Sequence, residues 1–181
     1  MRLFRKRSCT EPDLDGKENL AMRLMLLRHG KPESESPTGR DFDCPLAKEG
    51  FRQAEFIAAQ LEEGRKLAGS TPVAVLSSPA ARARATAKVI AQALELPVTI
   101  QDVLGPDSPR KDVRTFVHGL INGTAPVLIV SHKPQLENLI SEMIGKNENL
   151  RYAELICLEA QSQADRLNGR ELSRVCPDEG D

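Results

Sequence analysis

Three short segments of this chain bring histidine and arginine together in a way that suits a phosphoryl group: Arg28-His29-Gly30, Ser77-Ser78-Pro79 followed by Arg82, and Ser131-His132-Lys133-Pro134. Two guanidiniums offer forked donors that match phosphoryl oxygens, and they keep their charge at working pH. Arginine is a poor nucleophile, so the reacting group must be a histidine. A neutral imidazole attacks phosphorus directly, and water later hydrolyses the phosphohistidine, which splits one difficult displacement into two easier ones. Surrounding cations stabilise charge on the equatorial oxygens. Gly30 lets the backbone approach the phosphate closely. On spacing alone, His29 and His132 are equal candidates for the nucleophile.

These segments work together only if the fold brings them to one place, and the hydrophobic pattern supplies such a fold. Leu24 to Leu27, Val73 to Leu76, Val127 to Val130 and Leu155 to Leu158 are short apolar runs, as expected of strands buried on both faces. Between them apolar residues recur every three to four positions: Phe51, Ala54, Ala58, Leu61; Ala83, Ala87, Ile90, Leu94; Val113, Phe116, Val117, Leu120, Ile121; Leu136, Leu139, Ile140, Met143, Ile144. Each set lines one face of a helix. Gly145 suits a C-terminal cap, and Pro79 and Pro134 fall at the start of helices. Strands alternating with helices predict an α/β fold, a three-layer α/β/α sandwich around a mostly parallel central sheet. In such sheets ligands bind beyond the carboxyl ends of the strands, where all three polar segments lie.

The 181 residues fit one domain. Residues 1–21, charged and without apolar period, read as a disordered extension. Residues 22–160 read as the folded domain and 161–181 as a polar tail, in which Leu167, Leu172 and Val175 could dock a short helix. A formal net charge of −1, no Trp and one Tyr leave neither bulk positive charge nor stacking platforms, so nucleic acid is not expected as a partner. No apolar run is long enough to span a bilayer, and the basic N-terminus leads into acidic residues instead of an apolar stretch, so no membrane partner or secretory signal is expected. Cys9, Cys44, Cys157 and Cys176 stand singly. This predicts free thiols, a cytoplasmic location and no structural zinc. His29, His118 and His132 lack the nearby Cys or paired carboxylates of a ligand set, so neither metal nor cofactor is expected. His118, near a helix end, reads as structural. Arg84 and Lys88 read as a solvated face, and Lys133 as a cation that draws anionic substrates toward His132.

Leu27-Arg28-His29-Gly30, Ser77-Ser78-Pro79-Ala80-Ala81-Arg82-Ala83 with Thr86 and Ala87, and Ile129-Val130-Ser131-His132-Lys133-Pro134 resemble the motifs of the histidine phosphatase superfamily. Pro45-Leu46-Ala47-Lys48-Glu49-Gly50 resembles its Pro-Leu-Thr-x-x-Gly segment. The likeness covers residues 22–160 and is greatest to the short, SixA-type phosphohistidine phosphatases. It implies a phosphoglycerate mutase-like fold and a metal-independent phosphatase. His29 is then the phosphorylated nucleophile, and Arg28, Arg82 and His132 bind the substrate phosphoryl group. The implied partner is a phosphohistidine-bearing protein; a sugar phosphate, a nucleotide or a catalytically silent scaffold are the alternatives. Two departures stand out: Ala47 replaces a capping Thr or Ser, and Cys44 replaces an Arg. The general acid of larger relatives has no obvious counterpart, with Glu33, Glu35, Asp43 and Asp107 as positional candidates. Departing imidazole needs less protonation than an alkoxide, which favours phosphohistidine or activated phosphates as substrate.

Overall fold

In β1 (Met22–Arg28) successive side chains point to opposite faces, yet Leu24 and Leu26 are as fully buried as Met25 and Leu27. The strand is therefore covered on both sides, which is why its sequence is a continuous apolar run. The computed structural model describes residues 21–63, 70–123, 125–163 and 166–178. Leu24 and Leu26 pack with Val113, Val117 and Ile121 of α3 (Arg110–Ile121) and Leu136, Leu139 and Ile140 of α4 (Gln135–Ile144). Met25 and Leu27 pack with Ile57, Ala58 and Leu61 of α1 (Lys48–Glu62) and Ala83, Ala87 and Ile90 of α2 (Ala81–Ala93). Two helix pairs thus enclose one sheet, the three-layer α/β/α arrangement expected.

The sheet adds β2 (Ala74–Ser77), β3 (Val98–Ile100), β4 (Val127–Ser131), β5 (Leu155–Gln163) and β6 (Arg166–Val175), in the order β3-β2-β4-β1-β5-β6. The pairings β2–β3, β2–β4 and β1–β4 are parallel, whereas β1–β5 and β5–β6 are antiparallel. Parallel β1, β2 and β4 end on one edge, in register at Arg28–Ser131 and Ser77–Val130. That edge receives all three polar segments.

Two strands escape the sequence pattern. β3 is short and ends in exposed Thr99 and Ile100, so it shows no run of buried residues. β6 occupies much of residues 161–181, expected to form a polar tail, and Leu167, Leu172 and Val175 lie on it instead of on a helix. It is an edge strand, and its outward residues are mostly polar. Leu172 is an extra residue opposite the Cys157–Leu158 step. The bulge breaks the alternation, so Leu172 and Val175, an odd number apart, pack on the same core. Arg174 donates to Glu171, Glu148 and Glu154, each at 2.9 Å, and these bonds hold its charge more firmly than usual despite burial. Apart from Ala21, the expected N-terminal extension lies outside the described residues. Among those described, no helix is long and apolar enough to cross a membrane.

Helix ends follow the sequence closely. Gly145 caps α4 in the left-handed region at φ 72°, its N–H donating to Ser141 O at 2.9 Å. Ala47 is the N-cap of α1 and gives no side-chain cap. Backbone packing holds that end instead: Ala47 N–H donates to Lys31 O at 2.9 Å. A Cβ at Gly30 would lie 2.6 Å from Gly50 O, and one at Gly50 would collide with Lys31 O. Both glycines permit α1 to sit directly against the turn that follows His29.

Candidate active site

Arg28, His29 and His132 lie at the ends of parallel strands and Arg82 in the first turn of α2, each held by backbone and side-chain bonds. His29 N–H donates to Ser131 O at 3.1 Å and His29 O accepts from Ala153 N–H at 3.1 Å, which ties the end of β1 to β4 and to the turn that precedes β5. Gly30 N–H donates to Thr86 Oγ1 at 3.1 Å, and Thr86 donates to Arg82 O at 2.8 Å, linking the first segment to the helix that carries Arg82. Ser78 N–H donates to Val130 O at 3.0 Å. His29, Arg82 and His132 are all buried, at 4%, 6% and 2% exposure.

The sequence-predicted quartet converges. The His29 and His132 rings lie 4.9 Å apart between centroids, and Arg82 Nε donates to His29 Nε2 at 3.2 Å. Arg28 lies 3.8 Å over the ring of Tyr152, whose centroid is 5.8 Å from that of His29. Arg28 Nη1 donates to Leu150 O at 2.7 Å.

A hydrogen-bond partner assigns the tautomer of His29. The Gly30 carbonyl, 2.8 Å from His29 Nδ1, can only accept, so Nδ1 carries the proton and Nε2 keeps its lone pair. Nε2 is also the nitrogen that faces Arg82. On His132, Nε2 lies 2.7 Å from Ser78 Oγ, which also accepts from Ala80 N–H at 3.2 Å, and Nδ1 has no partner among the described residues. His29 thus keeps an unprotonated Nε2, which accepts from Arg82 Nε, whereas the Nε2 of His132 is engaged by Ser78. That distinction was invisible in the spacing of the two residues.

Burial first, then the neighbouring imidazole and the Arg82 and Arg28 charges, lowers the pKa of His29 from its ordinary value to about 3. Burial, then Arg82 and Arg28, lowers that of His132 to about 3. Both imidazoles are neutral at neutral pH. A stability consequence follows from linkage: below pH ~6.5 the unfolded chain takes up protons that the folded histidines refuse until about pH 3. Unfolded protein binds more protons in that window, so stability falls as pH falls. Carboxylates contribute to the same slope, so the comparison is between variants: His29→Asn is expected to flatten the dependence of Tm on pH between about 6.5 and 3 relative to wild type, as read by thermal unfolding across that range.

At the site, two buried nitrogens have no partner among the described residues: Arg28 Nε and His132 Nδ1. Leaving a buried donor unmatched costs about 1–3 kcal/mol, so such groups mark places where a ligand supplies the acceptor. With the Arg82 guanidinium they describe a pocket for an oxyanion against the lone pair of His29.

Other candidates fall elsewhere. Asp43 accepts from Thr38 Oγ1 at 2.6 Å and Arg40 Nε at 2.9 Å, whereas Glu33, Glu35 and Asp107 are exposed. Lys133 pairs with Glu137 at 3.1 Å and donates to Asn149 at 2.6 Å, so its charge is compensated on the loop. Arg84 and Lys88 are exposed, as expected of a solvated face, and His118 sits in the last turn of α3. Cys44 is buried, its thiol donating to Glu33 O at 3.0 Å. Sequence reasoning missed Asp41 and Tyr152. Asp41 Oδ2 accepts from Arg82 Nη2 at 2.7 Å. Each comes from a loop, where no period signals orientation; the only hint for Tyr152 is that the chain has a single tyrosine and it closely precedes β5.

The model of the histidine phosphatase superfamily (branch 1) matches residues 24–105. An uncharacterized protein of Picosynechococcus is 30% identical over 148 residues, covering 77% of this chain and 86% of its own. Among solved structures, the protein histidine phosphatase SixA complexed with tungstate is 23% identical with a TM-score of 0.74, covering 86% of this chain and 97% of that one. A structure from Agrobacterium tumefaciens assigned by name to phosphohistidine phosphatase SixA is 26% identical with a TM-score of 0.71, covering 86% and 98%. A mycobacterial glucosyl-3-phosphoglycerate phosphatase complexed with VO3 is 19% identical with a TM-score of 0.66, covering 83% and 97%.

Proposed function

We propose, from the premise that this chain belongs to the histidine phosphatase superfamily and is a phosphatase, that it acts through a phosphorylated His29, with protein phosphohistidine as its substrate. The observation that carries the proposal is the convergence of His29 Nε2, unprotonated and neutral, with the Arg82 guanidinium and two unmatched buried nitrogens, Arg28 Nε and His132 Nδ1. In the first step the Nε2 lone pair bonds to phosphorus as the bond to the leaving group breaks, and the leaving group departs with that electron pair. In the second, water attacks the phosphohistidine, releasing inorganic phosphate and restoring the His29 lone pair. Arg28, Arg82 and His132 Nδ1–H donate to the phosphoryl oxygens in both steps.

Two features support a protein substrate. Between α2 and β4 the described chain holds only β3, the 3-10 turn Asp102–Leu104 and α3, with no inserted subdomain over the pocket. At Pro79, next in sequence to Ser78, lies an open trough of about 320 Å³ lined by Phe42, Pro79, Asp102, Gly105, Pro106, Asp107, Ser108 and Pro109, an open surface on which a polypeptide substrate could lie. None of the four candidate acids bonds to the pocket quartet, which suits departing imidazole better than an alkoxide. Structural likeness to a glucosyl-3-phosphoglycerate phosphatase keeps a small phosphate ester as the second reading. Phosphate release from a phosphohistidine-bearing protein and from a panel of small phosphomonoesters, measured with chelator present, separates them. Preferential release from phosphohistidine supports the proposal; release mainly from esters moves the assignment to a metabolite phosphatase.

A further inference from the structure

A guanidinium has two edges that donate in parallel: the end formed by both Nη atoms, and the side formed by Nε with one Nη. On Arg82 they are committed differently. Nη1 donates to the backbone oxygen of Asp41 and Nη2 to Asp41 Oδ2 at 2.7 Å, so Asp41 takes the end. Nε donates to His29 Nε2, so the side faces the attacking nitrogen. The Arg82 side chain is 7% exposed and that of Asp41 78%, so the anchor reaches in from the solvent rim. Asp41 opens the 3-10 turn Asp41–Asp43, which is itself braced: Asp43 is held by Thr38 and Arg40, and Cys44 N–H donates to Asp41 O at 3.1 Å.

We propose that Asp41 is a positioning residue: it grips Arg82 by its end and so presents the Nε edge to the phosphoryl group transferred to His29. The inference rests on the phosphatase reading and deepens it. Asp41 lies across the guanidinium from His29, so it acts on the phosphoryl group through Arg82 and not on the leaving group. Its removal therefore slows substrates with good and poor leaving groups alike, and has no effect once Arg82 is gone.

The test is steady-state kinetics of wild type, Asp41→Ala, Asp41→Asn, Arg82→Ala and the Asp41→Ala/Arg82→Ala double variant, on phosphohistidine and on aryl phosphates of graded leaving-group acidity. Asp41→Ala is expected to lower kcat about 10- to 100-fold for every substrate turned over, a smaller loss than removing Arg82 causes. KM should change by less than about threefold, the signature of an interaction made in the transition state. Asparagine keeps an oxygen that accepts from Nη2 and should restore most of the rate. Because the side chain is exposed, Tm should stay near that of wild type. A loss confined to poor leaving groups makes Asp41 a proton donor and overturns the proposal. A lower KM without loss of kcat makes it a mere competitor for Arg82 and overturns the proposal too, as does unchanged kcat or a full additional loss in the double variant. A wild type without His29-dependent turnover would instead sink the phosphatase reading itself.

Discussion

His29→Ala is expected to abolish turnover, with phosphate release falling by about 10⁴-fold or more, because His29 is the proposed nucleophile and its unprotonated Nε2 is the nitrogen that faces Arg82. In the proposed mechanism His132 does not substitute, because its Nε2 is engaged by Ser78. A quenched reaction should trap the phosphoryl group on nitrogen, stable in base and released in acid, and peptide mapping should place it on His29. The quantity to measure is the bound phosphate per chain during turnover, beside the release rate of wild type and variant. Unchanged release from the alanine variant, or a label on His132, would overturn the assigned mechanism.

Arg82→Ala should leave a slower but active enzyme, with kcat lowered about 10²- to 10³-fold. Arg82 Nε donates to His29 Nε2, so in the proposed mechanism the phosphoryl oxygens meet the guanidinium as their charge develops. Arg28 and His132 remain in the variant and retain part of that stabilisation, which is why the loss stops short of abolition. Lysine should recover little of it. An ammonium is a point charge without the rigid planar fork that lets one guanidinium edge take Asp41 while the other faces the phosphoryl group. Single-turnover rates at saturating substrate separate this effect from weaker binding; a change in KM alone would assign Arg82 to ground-state binding.

The quartet was legible in the sequence because each member follows a strand whose apolar run marks burial on both faces. Leu24 to Leu27 and Val127 to Val130 each lead into a chemical residue within two positions, and parallel pairing delivers both to one edge. β6 was not legible, since an edge strand needs few apolar residues and the extra residue at Leu172 breaks the period that would have revealed them. Nor were Asp41 and Tyr152, whose loops are oriented by tertiary contacts that no local pattern encodes. The choice between the histidines rests on resemblance at the level of sequence; the structure adds that the Gly30 carbonyl holds the His29 proton on Nδ1 and leaves its Nε2 unprotonated.

The placement of Tyr152 has an optical consequence. With no tryptophan and one tyrosine in the chain, the protein's near-ultraviolet emission comes from a single ring, and that ring lies under the Arg28 guanidinium in the phosphoryl pocket. Binding of inorganic phosphate redraws the field around Arg28 and should change that emission, an effect that Tyr152→Phe removes together with the signal. The unlabelled protein therefore carries its own fluorescent gauge of pocket occupancy, readable during turnover as well as at equilibrium.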